Sequence, residues 1–169
     1  MLLKIVQLGK IEESVLTSVS EAIRNVYGFS TQTTSPVDLP SELFNYLRNQ
    51  YPAPAILKFL KSNYDGMILG ITNKDLYAES LNFVFGQAYC PGRVAVLSLH
   101  RLDPSFYGKR DKRLLAERAS KEAVHEVGHM LGLRHCSNEK CVMSFSNTIA
   151  DVDRKSIELC EFCRSKIKF

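Results

Sequence analysis

One run of residues constrains this chain more than any other: His125-Glu126-Val127-Gly128-His129-Met130-Leu131-Gly132-Leu133-Arg134-His135-Cys136. On a helix, residues four apart share a face, so His125 and His129 aim their imidazoles at one point. Glu126 follows the first histidine and sets a carboxylate beside that point without occupying it. Gly132 enters left-handed backbone cheaply, which ends the helix and lets the chain double back with His135. Three neutral imidazoles suit a tetrahedral Zn²⁺ that keeps its full charge and one open position for water. The bland alternative, scattered histidines on an amphipathic helix, explains two of these residues but not all five at this spacing.

A second constellation begins at the next residue. Cys136 and Cys141, with Cys160-Glu161-Phe162-Cys163, form two closely spaced pairs, the usual pattern of a closed Cys₄ zinc site. Disulfides are the competing reading, but five cysteines cannot all pair within one chain and the N-terminal run 1–9 is too short and too polar for a secretory signal. His135 and Cys136 point to opposite faces of extended backbone, so the two ions sit on the order of 10 Å apart. A co-catalytic pair needs about 4 Å. The second ion is therefore structural: it pins Cys136, and with it the backbone carrying His135. Cys90 is left over and reads as an ordinary buried thiol.

Around these motifs the sequence has the makeup of one globular domain, 45% hydrophobic and 24% charged. The formal charge of +4 survives metallation, because four thiolates and two Zn²⁺ cancel. No clustered basic run supports a nucleic-acid partner, and no apolar stretch is long enough to cross a membrane. Strands are expected over 3–8, 30–34, 65–72, 81–88 and 93–99. Helices are expected over 11–27, 41–60 with a break at Pro52 and Pro54, 111–131 with Asp111 as N-cap, and about 149–167. The strand–helix alternation implies right-handed crossovers and a partly parallel sheet. The last two strands form a hairpin, and the first of them, 81–86, is expected at the sheet edge above the metal, where Phe83, Val84, Phe85 and Gly86 can meet substrate; that Phe83 and Phe85 are simply core is an equal alternative. The glycine bend divides 1–132 from a smaller part, 133–169.

His125-Glu126-x-x-His129-x-x-Gly132-x-x-His135-Cys136, then Cys141-Val142-Met143, then Cys160-x-x-Cys163, resembles the archaemetzincins, a family of the metzincin clan of zinc peptidases. The cysteine directly after the third histidine and the Cys-x-Met are particular to that family. The resemblance implies an α+β, metzincin-like zincin fold: a twisted mixed sheet, backing helices, an active-site helix and a small zinc-stapled C-terminal subdomain. It implies that Met143 occupies a Met-turn beneath the catalytic zinc. It also implies a metallopeptidase with two Zn²⁺ per chain and Glu126 as general base, acting on peptides or proteins as an endo- or exopeptidase. Several metzincins carry a tyrosine two residues after the turn methionine; Phe145 stands there and has no hydroxyl to offer an oxyanion.

A zinc-stabilised peptide-binding module without hydrolysis is the alternative. It leaves Glu126 without a purpose. A monomer in the cytoplasm, with neither nucleic acid nor membrane as partner, is the simplest setting. His100 reads as a surface or hydrogen-bonded residue, Glu122 as part of a solvated helix face or else a partner standing behind the His125 ligand, and Asp75-Leu76-Tyr77 equally as a stretch lining the cleft or a loop with a packed tyrosine.

Overall fold

The computed structural model describes residues 1–167. Its centre is a five-stranded sheet ordered β2-β1-β4-β7-β6, from β1 (Leu2–Leu8), β2 (Ser30–Thr33), β4 (Met67–Thr72), β6 (Gly86–Ala88) and β7 (Val94–Ser98). All neighbours are parallel except β6, which runs antiparallel to β7 at the edge. Side chains alternate across each strand. Leu3, Ile5, Leu69, Ile71, Ala95 and Leu97 join one core, and Val6, Leu8, Ile68, Val94 and Val96 join the other. Both faces are buried, as parallel sheets require.

Helices α1 (Glu13–Tyr27) and α3 (Lys112–Met130) pack together over the first face. Ile11, Val15, Leu16, Val19, Ala22, Ile23 and Val26, whose helical spacing marks the 11–27 segment, are all buried. Helix α2 (Ala53–Asn63) covers the second face. The Asp111 carboxylate caps α3 by accepting from the Leu114 N–H at 3.0 Å. At the other end Gly132 turns at φ 94°, and the Leu133 N–H donates to the Gly128 carbonyl at 2.9 Å. The chain therefore reverses three residues before His135.

Three expectations need correction. The segment 41–60 is not a broken helix. A 3₁₀ turn at Ser41–Leu43 leads to a short strand β3 (Tyr51–Pro52), which pairs with β5 (Leu76–Tyr77). Pro52 and Pro54 then start α2, since a first turn needs no proline N–H. Secondly, only Gly86–Ala88 of the expected strand 81–88 pairs with β7. Residues 79–84 swing off the sheet, Val84 bridging to Leu76, while Phe85, whose carbonyl still accepts from the Ser98 N–H at 2.8 Å, meets Phe83 edge to face at 5.1 Å. Thirdly, the C-terminal helix is two pieces, α4 (Ile149–Arg154) and α5 (Glu161–Ser165). Between them Lys155 takes extended backbone and its side chain goes inside, with no residual exposure.

Candidate metal centre and cleft

On α3, His125 and His129 stand one turn apart and His135 returns from the bend, so that one ring nitrogen from each lies within 4.8 Å of the others. The orientation is set from behind. His125 donates from Nδ1 to the Val142 carbonyl at 2.8 Å, and His129 donates from Nδ1 to the Leu133 carbonyl at 2.7 Å. Both Nε2 atoms are left as acceptors, 3.1 Å apart. Two nitrogens bound tetrahedrally to one Zn²⁺ at ordinary bond lengths are about 3.3 Å apart. Burial holds all three imidazoles below their ordinary range, furthest for His125, where the nearby Lys155 ammonium adds to the effect. Neutral imidazoles are what a metal needs.

Glu126 is 3% exposed, with Oε1 3.9 Å from His125 Nε2 and Oε2 without any hydrogen-bond partner. Burial first, and then Glu122, push its carboxyl well above the carboxylate range; Lys155 opposes them. A bound cation beside it would restore the charged form. The carboxyl lies against β6. A Cβ on Gly86 would sit 2.6 Å from the Val96 carbonyl oxygen and 3.1 Å from the Glu126 carboxyl carbon. Below the helix, Met143 is fully buried and occupies the space a side chain on Gly128 would need; Tyr27 Oη closes the other side at 3.0 Å. That hydroxyl donates to the Val124 carbonyl at 2.7 Å. Gly128, one of the unspecified positions of the histidine motif, is thus dictated by the methionine beneath it.

The four cysteines also converge. Cys136 and Cys160 have their sulfurs 3.8 Å apart, as do Cys141 and Cys163. Thiolates on a tetrahedral zinc are about 3.8 Å apart at ordinary Zn–S lengths. The Met143 and Cys160 N–H groups both donate to Cys141 Sγ at 3.4 Å. Hydrogen bonding from the Cys163 backbone lowers the Cys160 thiol to about 7, whereas burial raises Cys141 and Cys163. The two clusters share no residue. They are tied through the backbone, where the Cys136 N–H donates to the Met143 carbonyl at 3.0 Å.

A cleft of about 500 Å³ lies over the histidines, with Phe83, Val84, Phe85 and Gly86 on one side and Phe145 and Ser146 on the other. Phe145 leans on His135, ring centroids 5.0 Å apart, and is 48% exposed. Among the described residues, four buried side-chain polar atoms lack a hydrogen bond: Gln87 Oε1, Glu122 Oε1, Glu126 Oε2 and Ser146 Oγ. All four residues line this cleft.

Two bland readings fail here. Glu122 is no solvated face but 3% exposed, paired with Lys155 at 3.0 Å. Its sequence neighbours hid this, because the partner is thirty-three positions away. Cys90 is exposed rather than buried, its thiol meeting the Leu133 carbonyl at 3.4 Å, the same oxygen His129 uses. His100 is at the surface as read, packed on Phe106. Asp75 receives both Arg101 and Gln50.

A partly parallel sheet under an active-site helix, three converging imidazoles and a buried carboxylate beside them make the architecture of a zinc metallopeptidase. The comparisons agree. The model of peptidase family M54 matches residues 4–169. The archaemetzincin of Methanocaldococcus jannaschii is 43% identical over 162 residues, covering 95% of this chain and 89% of its own length. That of Pyrococcus furiosus is 43% identical over 175 residues, 97% and 91%. The crystal structure of the Archaeoglobus fulgidus archaemetzincin, complexed with malonate, superposes with a TM-score of 0.88 at 40% identity, covering 99% of this chain and all of that one. A zinc-dependent peptidase from Methanocorpusculum labreanum gives 0.90 at 31% identity, covering 98% and 100%. The chain belongs to peptidase family M54, the archaemetzincins.

Proposed function

We propose that this metallopeptidase cleaves peptide bonds with Glu126 as general base and His125, His129 and His135 as the ligands of its catalytic zinc. Cys136, Cys141, Cys160 and Cys163 hold a second, structural zinc. The observation that carries the reading is the buried, unpartnered Glu126 Oε2 beside the histidine point. When bound, zinc supplies a Lewis acid for the scissile carbonyl and lowers the pKa of water. Glu126 takes the proton of the attacking water and delivers it to the departing amine. Phe145 offers only an apolar wall, so it does not stabilise the oxyanion. Among the described residues strand β6 has one hydrogen-bonded neighbour, β7, and its other edge suits a substrate laid alongside as an added strand.

Glu126→Ala should abolish peptide turnover while zinc content stays near two per chain. Turnover that survives, or zinc that leaves, would overturn the assignment. The division of labour follows the glycine bend: residues 1–132 supply the sheet and base, 133–169 the third imidazole, Met143 and the sulfur site. Reduced thiols gathered for metal rather than disulfides favour the cytoplasm. No helix among the described residues is long and apolar enough to cross a membrane. The expected form is a monomer acting on peptides or proteins, which sedimentation equilibrium would check.

A further inference from the structure

Lys155 has the largest fully buried side chain among the described residues, and nothing in the hydrolytic step uses it. It follows α4, in the part of the chain beyond the glycine bend, yet its ammonium reaches the back of the metal centre. Nζ lies 3.0 Å from Glu122 Oε1, 3.3 Å from the Ser144 carbonyl oxygen and 3.5 Å from His125 Nδ1. The last contact is no hydrogen bond when Nδ1–H donates to Val142, since both groups are then donors. It is a positive charge behind an imidazole whose other nitrogen is free for a dication. Repulsion across one ring is substantial in a water-poor site. The lysine nevertheless gives something an apolar side chain cannot. By donating to the Ser144 carbonyl it holds the backbone just past Met143, from which Phe145 and Ser146 reach the cleft wall.

Glu122 resolves the conflict. It sits on α3 one turn before Glu126, side chain 4% exposed, and meets the ammonium at ion-pair distance. Its approach to Nζ is too oblique for a hydrogen bond, which is why Oε1 counts among the unpartnered atoms. The partnership is therefore one of charge. We infer that Glu122 is a positioning residue for the metal centre: it neutralises Lys155, so that the lysine can clamp the Met143–Ser144 backbone against α3 without expelling the ion from His125. This rests on the three-histidine reading above, but not on hydrolysis.

The test is Co²⁺ titration of the metal-stripped full chain. The histidine site is read by its visible d–d absorption and the cysteine site by its sulfur-to-metal charge-transfer band. Glu122→Gln leaves an uncompensated ammonium. It should weaken the histidine site at least tenfold, the range found when partners behind ligands are removed, and leave the cysteine site within about threefold. The neutral pair Glu122→Gln/Lys155→Met should return the histidine site to within about threefold of the unaltered protein. A single variant that binds as the parent does, or a double variant as weak as the single, overturns the inference. Should the single variant not fold, a folded double variant that binds at the histidine site supports it, because charge imbalance is then the defect. A double variant that fails to fold or to bind there overturns it. The hydrolytic reading fails separately: absence of peptide cleavage by the unaltered, metal-loaded protein would count against it and leave these affinities as they are.

Discussion

Gly86 and Gly128 show how single positions around the centre are fixed by what they lack. A methyl group at 128 collides with Met143 and Tyr27. Overpacking of this kind costs about 1–3 kcal/mol, so Gly128→Ala should lower the urea midpoint accordingly with zinc bound. At Gly86 the obstacle is the Val96 carbonyl on one side and the Glu126 carboxyl on the other. Gly86→Ala should displace the base, and misplacement by an ångström costs on the order of a hundredfold in rate; kcat/KM is the measure. The imidazoles give a pH prediction. Their folded-state values lie below the ordinary one, so the metal-free native state binds fewer protons than the unfolded chain as pH falls past about 6.5. Their contribution to the stability of the stripped protein is full above that point and declines below it, while the raised Glu126 carboxyl runs the other way. Thermal melts of Glu126→Gln between pH 8 and pH 5 with chelator, where that carboxyl is gone, should follow the histidine sign. At this scale the sequence was legible wherever spacing encodes geometry. The three histidines, Glu126 and the four cysteines needed only a helix period and two tight pairs. Glu122 and Lys155 were not legible, because their partnership depends on how α4 docks.

The helix α3 was readable from its Asp111 cap to its glycine bend because its signals are local. The 81–88 segment was not. Its apolar residues fit a strand, but Phe83 and Phe85 pack on each other and on the core, and Val84 pairs with Leu76 outside the main sheet. Aromatic packing and burial outweighed β-propensity there. The C-terminal segment was misread for a related reason, since a helix running through 155–160 would carry Lys155 away from Glu122. Instead Thr148 and Asp151 form a reciprocal capping box that starts α4. Thr148→Ala removes one half of it and should cost about 1 kcal/mol, seen as a lower melting temperature. Because α4 delivers Lys155, the same variant should also weaken metal binding at the histidine site slightly.

The whole molecule is two cores on either face of one sheet, with the cysteine cluster beside Leu159, Val142 and Met143 at the edge of the larger core. The small C-terminal part has two short helices among the described residues and little apolar surface of its own, so the metal proposed on its four sulfurs would supply what packing does not. Stripping both sites with a strong chelator should therefore lower the melting temperature far more than occupying the histidine site alone restores. Differential scanning calorimetry with stepwise zinc return separates the two contributions. The parallel order of the sheet was legible from the alternation of strands and helices; its small second sheet, built from two-residue strands β3 and β5, was not, because pairings so short leave no periodicity.

The outermost strand, β6, is only three residues long. At about 3.4 Å per residue, the strand-addition docking proposed above would give a guest chain ~10 Å of main-chain hydrogen bonding. Extending a peptide beyond that reach would add no further backbone grip, so discrimination among long polypeptides would fall to whichever few side chains settle between the aromatic lip and the histidine trio.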